Sequence, residues 1–459
     1  MEELCWQKRF HKRTFLFDLC KLESAILTLR SLTHILAAGV FFSGFIKDLL
    51  CLPRPLSPPL QRITMSGSAA LEYGFPSSHS TNAVSVAVYA LLILNFGGPD
   101  ISPLSNTILQ VVSYCYACSI VIGRLYCGMH GFLDVLAGSM LGAALSMVQY
   151  RYGEVLDDYV HSGSLKNILI MLLIILVLVR VHPEPADDCP CFDDSVAFAG
   201  VIVGIEYGNW HFARTQYSSS YPVPATVPFS IETMGWLVTI ARILVGVISI
   251  FAWREVMKPS LLRFLPPIFR VVEALGLNLP RKFFKQASEY TRVPAQYKDD
   301  DHVIPSVSQI PSLFRRRRAI SIGPQSEADA YETLAYRERR RRTSLSASEE
   351  TFSSLSKPLA LSQDPLKVPP TNSSANKIGQ PLRQVKSELE TYESMMGTGL
   401  LDSSKPPQEM EEKEMFSMVQ KPRVRYDVEV VTKLIVYAGI GWLAVEGNPI
   451  LFYFVGLAP

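Results

Sequence analysis

Apolar residues in this chain gather into long runs separated by short polar breaks, a pattern that predicts a helical membrane bundle. Runs approaching the ~20 residues that cross a bilayer as a helix are read at 25–46, from the P-S-S-H stretch to 96, and at 107–123, 132–148, 165–181, 196–212, 234–253 and 434–457. Charge is nearly absent within them. The first ends in Lys47-Asp48, and Gly97-Gly98-Pro99-Asp100 breaks the second. The sixth is the most polar, because Glu206 and His211 are unusual on a lipid-facing helix. The last is interrupted by Glu446-Gly447-Asn448-Pro449, which predicts either one kinked helix or a span followed by a re-entrant piece. Arg30 and His34 in the first run read as a packed or interfacial pair.

The fold class this implies is all-α, a polytopic membrane helix bundle of about seven to eight spans. A basic juxtamembrane segment is expected at 1–24, a four-span core at 25–150 and further transmembrane helices at 151–257. A short, Pro-broken, basic amphipathic segment is expected at 258–294, and a hydrophobic helix at 426–459. Between them, 295–425 is rich in Ser, Pro, Gln, Glu and Arg with little apolar periodicity, so a disordered insertion is expected. Arg315 to Arg318 precede Ser321, and Arg339 to Arg342 precede Thr343-Ser344. These runs suit anionic lipid or a basophilic kinase, and the second option favours a cytosolic tract, opposite the catalytic side.

Composition adds less. The net charge of +2 averages an apolar part and a basic tract, and nothing points to nucleic acid. Eight cysteines show no zinc spacing. Cys189 and Cys191, in D-D-C-P-C-F-D-D, form a loop pair that can oxidise in a lumenal compartment, although the tight spacing strains a mutual bridge. No cleavable signal peptide is expected in 1–21.

Three polar clusters interrupt the apolar pattern: Lys47 with Arg54-Pro55, then Pro76-Ser77-Ser78-His79, then Arg124, His130 and Asp134. Counting spans puts all three on one aqueous edge of the bundle. His130 and Asp134 are four residues apart, so on a helix they share a face, where a carboxylate can hold an imidazole in one tautomer. A structural Arg124–Asp134 ion pair is the plain alternative. Lys47, Arg54 and Arg124 suit a tetrahedral oxyanion. Ser77 and Ser78 before a helix can add hydroxyls and backbone N–H groups. Two histidines supply a nucleophile and an acid for phosphate-ester cleavage. The sequence has no Asp/Glu cluster of the kind that holds magnesium, so the positive charge is read as coming from protein and no cofactor is expected.

These clusters resemble the PAP2-type lipid phosphatase and vanadium haloperoxidase superfamily, whose pattern is K-x6-R-P, P-S-G-H and S-R-x5-H-x3-D. Here the pattern reads Lys47-x6-Arg54-Pro55, Pro76-Ser77-Ser78-His79 and Gly123-Arg124-x5-His130-x3-Asp134, with Ser78 for Gly and Gly123 for Ser. The flanking stretches C-L-P-R-P-x-S-P-P, E-Y-G-x-P-S-S-H-S, G-R-x-Y-C-G-M-H-G-x-L-D and D-x-C-P-C-F look like fungal long-chain-base-1-phosphate phosphatases, relatives of sphingosine-1-phosphate phosphatase.

The resemblance implies a PAP2-type core and metal-independent hydrolysis of dihydrosphingosine or phytosphingosine 1-phosphate. His130 would be the nucleophile, oriented by Asp134, and His79 the acid. Lys47, Arg54, Ser77, Ser78 and Arg124 would bind the phosphoryl group. It also implies a multi-pass protein of the endoplasmic reticulum membrane with a lumenal active site. The family usually carries further apolar helices ahead of its first motif, so either a longer N-terminus or an isoform with a compromised fold is a further expectation. A broad lipid phosphate phosphatase, a dolichyl-pyrophosphate phosphatase and a degenerate non-enzymatic member are the alternatives.

Overall fold

The computed structural model describes residues 29–57, 62–63, 72–97, 102–161, 163–184, 189–218, 231–277, 279–291, 293, 334 and 424–457. Contacts divide the chain into two units. Nearly every described residue lies in the first, 1–55, 62–323 and 421–459, and only 56, 57 and 334 in the second. The basic opening and both arginine runs lie outside the described residues.

Among the described residues the first unit is a helical bundle. Its helices are α1 (Leu29–Leu50), α2 (Ser78–Leu92), α3 (Pro103–Tyr126), α4 (Phe132–His161), α5 (Leu165–Val181), α6 (Cys191–Phe212), α7 (Ile231–Ala274), α8 (Asp427–Trp442) and α9 (Asn448–Val455). The only sheet among these residues is a parallel pair, β1 (Phe284–Lys285) with β2 (Arg425–Tyr426). Six helical runs are long and apolar enough to cross a membrane: 29–50, 78–96, 103–126, 132–160, 234–274 and 427–455. α3 buries none of its residues, and Ile108, Val111, Val112 and Ile122 point outward, a surface suited to lipid and costly in water.

Close approach of two helices brings two of the polar clusters together. α4 carries small residues at Gly138, Gly142 and Ser146, and α2 faces them from the cap residue Ser77 through Thr81 to Ser85. A Cβ on Gly138 would come within 2.5 Å of the Ser77 carbonyl oxygen, and one on Gly142 would run into that of Thr81. One step on, Ser146 Oγ donates to the Ser85 carbonyl at 2.6 Å. Small residues spaced by four let two helices in lipid approach backbone to backbone. Here that spacing carries the start of α2 to the start of α4. A second such contact joins α6 to α8, where Gly200 faces the Leu434 carbonyl and Gly204 that of Ala438.

The polar sixth segment is placed inside the bundle. Glu206 of α6 is buried and accepts from Arg30 and, at 2.7 Å, from His34 Nε2, while Arg30 also lies 3.4 Å from Asp157 of α4. Pairing removes the cost of leaving that carboxylate alone in a low-dielectric interior.

Two expectations are revised. A separate Pro-broken segment after residue 257 does not form: α7 continues through Pro259, Pro266 and Pro267 to Ala274, its one non-helical residue being Gly235. Each proline removes a donor but keeps a helical φ, and tertiary contacts hold the run, as Trp253 Nε1 donates to the Val436 carbonyl. The last apolar run is one kinked helix, since a π-helical turn at Leu443–Gly447 joins α8 to α9.

The second revision concerns sidedness. α1 ends, α2 begins, α3 ends and α4 begins at the edge that holds the three polar clusters. α6 also begins there, with Arg425 donating to the Cys189 carbonyl at 2.6 Å and Lys433 of α8 pairing with Asp193 at 2.9 Å. The end of α7 joins them, because Arg270 donates to the Ala287 carbonyl and Tyr290 donates to Asp427 at the start of α8. The two flanks between which residues 294–423 run therefore both lie on the side of the polar clusters. A tract on the opposite side, which the kinase reading of the arginine runs favours, would need α6 not to traverse the bundle, and it does. The Cys189 and Cys191 sulfurs are bonded to each other.

Candidate active site

Lys47 comes from the last turn of α1, Arg54 from the proline-rich segment after it, and Arg124 from the last turn of α3. Gly128 adopts φ 63, the left-handed conformation that closes a helix, and the chain turns there into His130 and then Asp134 in the first turn of α4. The Ser77 N–H donates to the Asp134 carbonyl at 3.0 Å, tying the start of α2 to the start of α4.

His130 is buried, and its partners fix its tautomer. Nδ1 lies 2.8 Å from the Gly74 carbonyl oxygen, which can only accept, so Nδ1 carries the proton and donates. Nε2 lies 3.2 Å from Arg54 Nη1, which can only donate, so Nε2 presents its lone pair there. Burial lowers the imidazole below its ordinary pKa and so favours the neutral ring, against the opposing pull of Asp134, which favours the charged one. Asp134 Oδ2 is 3.8 Å from Nδ1 and accepts the Gly131 N–H at 2.7 Å. Asp134 thus stands behind the ring, and the nearer partner is Gly74. No structural ion pair joins Arg124 to Asp134 among the described residues.

Arg54 is buried and fully directed. Nε donates to the Glu72 carbonyl and Nη1 to the Met129 carbonyl, each at 2.7 Å. Lys47 is 2% exposed, and its Nζ donates to Glu72 Oε2 at 2.8 Å and to Ser78 Oγ at 2.9 Å. Glu72 Oε2 also accepts from Arg54 Nη2 at 3.2 Å. Burial alone would raise the Glu72 carboxyl, but Lys47 and Arg54 outweigh it and hold it down at about 2. The cluster therefore has a second carboxylate, where the sequence reading counted Asp134 alone. Glu72 lies in the E-Y-G-x-P-S-S-H-S stretch that carries the subfamily resemblance, yet an acid beside phosphate-binding cations gave no reason to be counted. The Gly74 carbonyl was equally invisible, because backbone groups leave no residue-type signal.

The remaining residues divide. The Arg124 side chain makes no hydrogen bond or ion pair with a described residue, and its Nε is buried without a partner, so its guanidinium is available to an anion. His79 is exposed in the first turn of α2 and close enough for its charge to act on Glu72. Ser78 offers its hydroxyl beside Lys47 at the positive end of that helix. Ser77 is fully buried, and its hydroxyl caps α2 by accepting from the Ser80 N–H and hydroxyl. These contacts fix the helix start. One group of metal-ligand type occurs among the described residues, Asp48 with Cys189 and Cys191 within 4.8 Å of one another. Its sulfurs are joined to each other, and it contains none of the clustered residues above.

Residues 28–156, which hold Lys47, Arg54, Glu72, Ser77, Ser78, His79, Arg124, His130 and Asp134, match the PAP2 superfamily. They form a PAP2 domain. Curated relatives extend the likeness beyond the PAP2 domain. A dihydrosphingosine 1-phosphate phosphatase of Schizosaccharomyces pombe is 39% identical over 239 residues, 52% of this chain and 56% of the relative. Another, of Saccharomyces cerevisiae, is 35% identical over 234 residues, 50% of this chain and 55% of the relative. A lipid phosphate phosphatase of Arabidopsis thaliana is 30% identical over 257 residues, 54% of this chain and 59% of the relative. The chain thus spans a little over half the length of these relatives. No solved structure matches it.

Proposed function

We propose that this protein removes phosphate from sphingoid long-chain-base 1-phosphates through a phosphohistidine at His130. The observation that carries the proposal is the pair of contacts on the His130 ring: Nδ1–H on Gly74, and an Nε2 lone pair aimed at the Arg54 guanidinium, where a phosphoryl oxygen would bind. The dihydrosphingosine 1-phosphate phosphatase names of the two yeast relatives support the substrate class.

Nε2 attacks phosphorus in line with the ester oxygen, and Lys47, Arg54, Arg124 and Ser78 take the charge that builds on the phosphoryl oxygens. As the N–P bond forms the ring becomes cationic, and the Gly74 carbonyl and Asp134 stabilise its Nδ1–H. His79 protonates the leaving alkoxide, and deprotonated His79 then takes a proton from the water that attacks the phosphohistidine. The positive charge in this scheme comes from the protein. The activity belongs in the endoplasmic reticulum membrane with the catalytic edge lumenal, and the alkyl chain would lie among the helices.

A second reading, a broad lipid phosphate phosphatase, is favoured by the name of the plant relative. Phosphate release by membranes carrying this chain, with excess chelator, separates the two. Chelator-resistant release from dihydrosphingosine 1-phosphate and little from phosphatidic acid, lost in His130→Ala, supports the proposal. Equal release from both lipids supports the second reading, and undiminished release by His130→Ala overturns both.

A further inference from the structure

Glu72 is a costly residue for a phosphate site. Its Oε2 binds Lys47 and Arg54, the cations that a phosphoryl group needs, and a carboxylate there repels the anion it competes with. It stays ionised through the physiological range, so the repulsion is permanent. Its other oxygen, Oε1, makes no hydrogen bond to a described residue, and the side chain is 17% exposed, so it is reachable. One guanidinium separates it from the nucleophile: Arg54 Nη2 is on Glu72 Oε2, and Arg54 Nη1 is on His130 Nε2. Asp134, the other carboxylate of the cluster, is committed to the Gly131 N–H and the far side of the His130 ring.

A sphingoid-base 1-phosphate carries a primary ammonium on the carbon next to the phosphorylated one. A phosphate held by Arg54 and Lys47 for attack by His130 places that ammonium beside the carboxylate bridging the same two cations. We propose that Glu72 is the specificity-determining residue of this site, its Oε1 accepting from the substrate ammonium while Oε2 keeps Lys47 and Arg54 in position. This deepens the function proposed above and rests on it. Phosphate lipids without the amine meet the carboxylate with nothing to offset it and are disfavoured. For a charge-assisted hydrogen bond at a partly exposed position, the preference for the amine is about 10- to 100-fold in kcat/KM.

The test compares dihydrosphingosine 1-phosphate, its N-acetyl derivative and octadecyl phosphate as substrates of the full-length protein, unsubstituted and as Glu72→Gln. The unsubstituted protein should prefer the free amine over both analogues, and Glu72→Gln should bring the three to within about threefold of one another. Loss of Lys47 and Arg54 positioning alone would lower all three substrates by the same factor and leave the preference intact, which overturns the role given to Glu72. A protein that turns over octadecyl phosphate as well as the amine overturns the sphingoid reading with it. Should Glu72→Gln fail to accumulate in the membrane, Glu72→Asp keeps the charge but withdraws it by one methylene. It should reduce the preference severalfold, and an unchanged preference refutes the assignment.

Discussion

Arg54 and His130 meet at 3.2 Å through Nη1 and Nε2, and because a guanidinium cannot accept a proton, the histidine must present a lone pair there. The same guanidinium reaches the carbonyls of Glu72 and Met129, so the loop before α2 and the turn before α4 share one anchor. The proposed nucleophile and a proposed phosphate-binding cation are therefore in contact before any substrate arrives.

In the proposed mechanism the neutral form of His130 attacks, and burial holds its pKa below the ordinary value. Activity is present above that pKa and lost as pH falls through it, so the acid limb of kcat/KM should lie below about pH 6.5. Asp134 opposes the burial effect, so Asp134→Asn should move the limb to lower pH while lowering kcat. Substrate phosphate ionises near pH ~6 in both cases, so the displacement between the two profiles isolates His130. A limb that moves to higher pH contradicts the arrangement.

Arg124 has no partner among the described residues, and its buried Nε is unsatisfied. Arg124→Ala should therefore lower kcat by about 10²- to 10³-fold and weaken inhibition by vanadate, with little effect on thermal stability. A variant that loses stability but keeps vanadate affinity would show the arginine to be structural.

Glycines near the site should differ sharply. A methyl on Gly142 runs into the Thr81 backbone, whereas one on Gly123 meets nothing within 4 Å. Gly142→Ala should push α2 from α4, cost about 1–3 kcal/mol of stability and reduce turnover on the order of 100-fold by displacing His79 from His130. Gly123→Ser, the residue of the family pattern, should be tolerated. Heat-inactivation and initial-rate measurements on the two variants decide.

The flanks at 293 and 424 lie on the catalytic side, so an epitope tag at residue 350 and one at residue 67 should share the same protease protection in sealed microsomes. Protection of one tag alone contradicts the traverse of α6. With a lumenal active site, shared protection also removes the tract from cytosolic kinases.

Lys47, Arg54, His79, Arg124, His130 and Asp134 were legible because charges and imidazoles stand out against apolar runs, and span parity alone brought them together. Ser77, expected as a phosphate contact, caps α2, a use equally open to a hydroxyl before a helix. Glu72 was overlooked because its partners, Lys47 and Arg54, are 25 and 18 residues away. The continuation of α7 through Pro259, Pro266 and Pro267 was illegible for a different reason, since local propensity marks a break that only packing overrides. α6 looked too polar for a lipid-facing helix, and Arg30 and His34 on Glu206 account for part of that polarity.

The most direct measurement is to trap the enzyme-bound phosphate. Membranes carrying the chain, mixed with radiolabelled dihydrosphingosine 1-phosphate and quenched in alkaline detergent, should yield a labelled protein. The label should survive base, be released by acid, map to His130 and be absent from His130→Ala. Turnover with no such label, or an equal label in His130→Ala, would contradict the account.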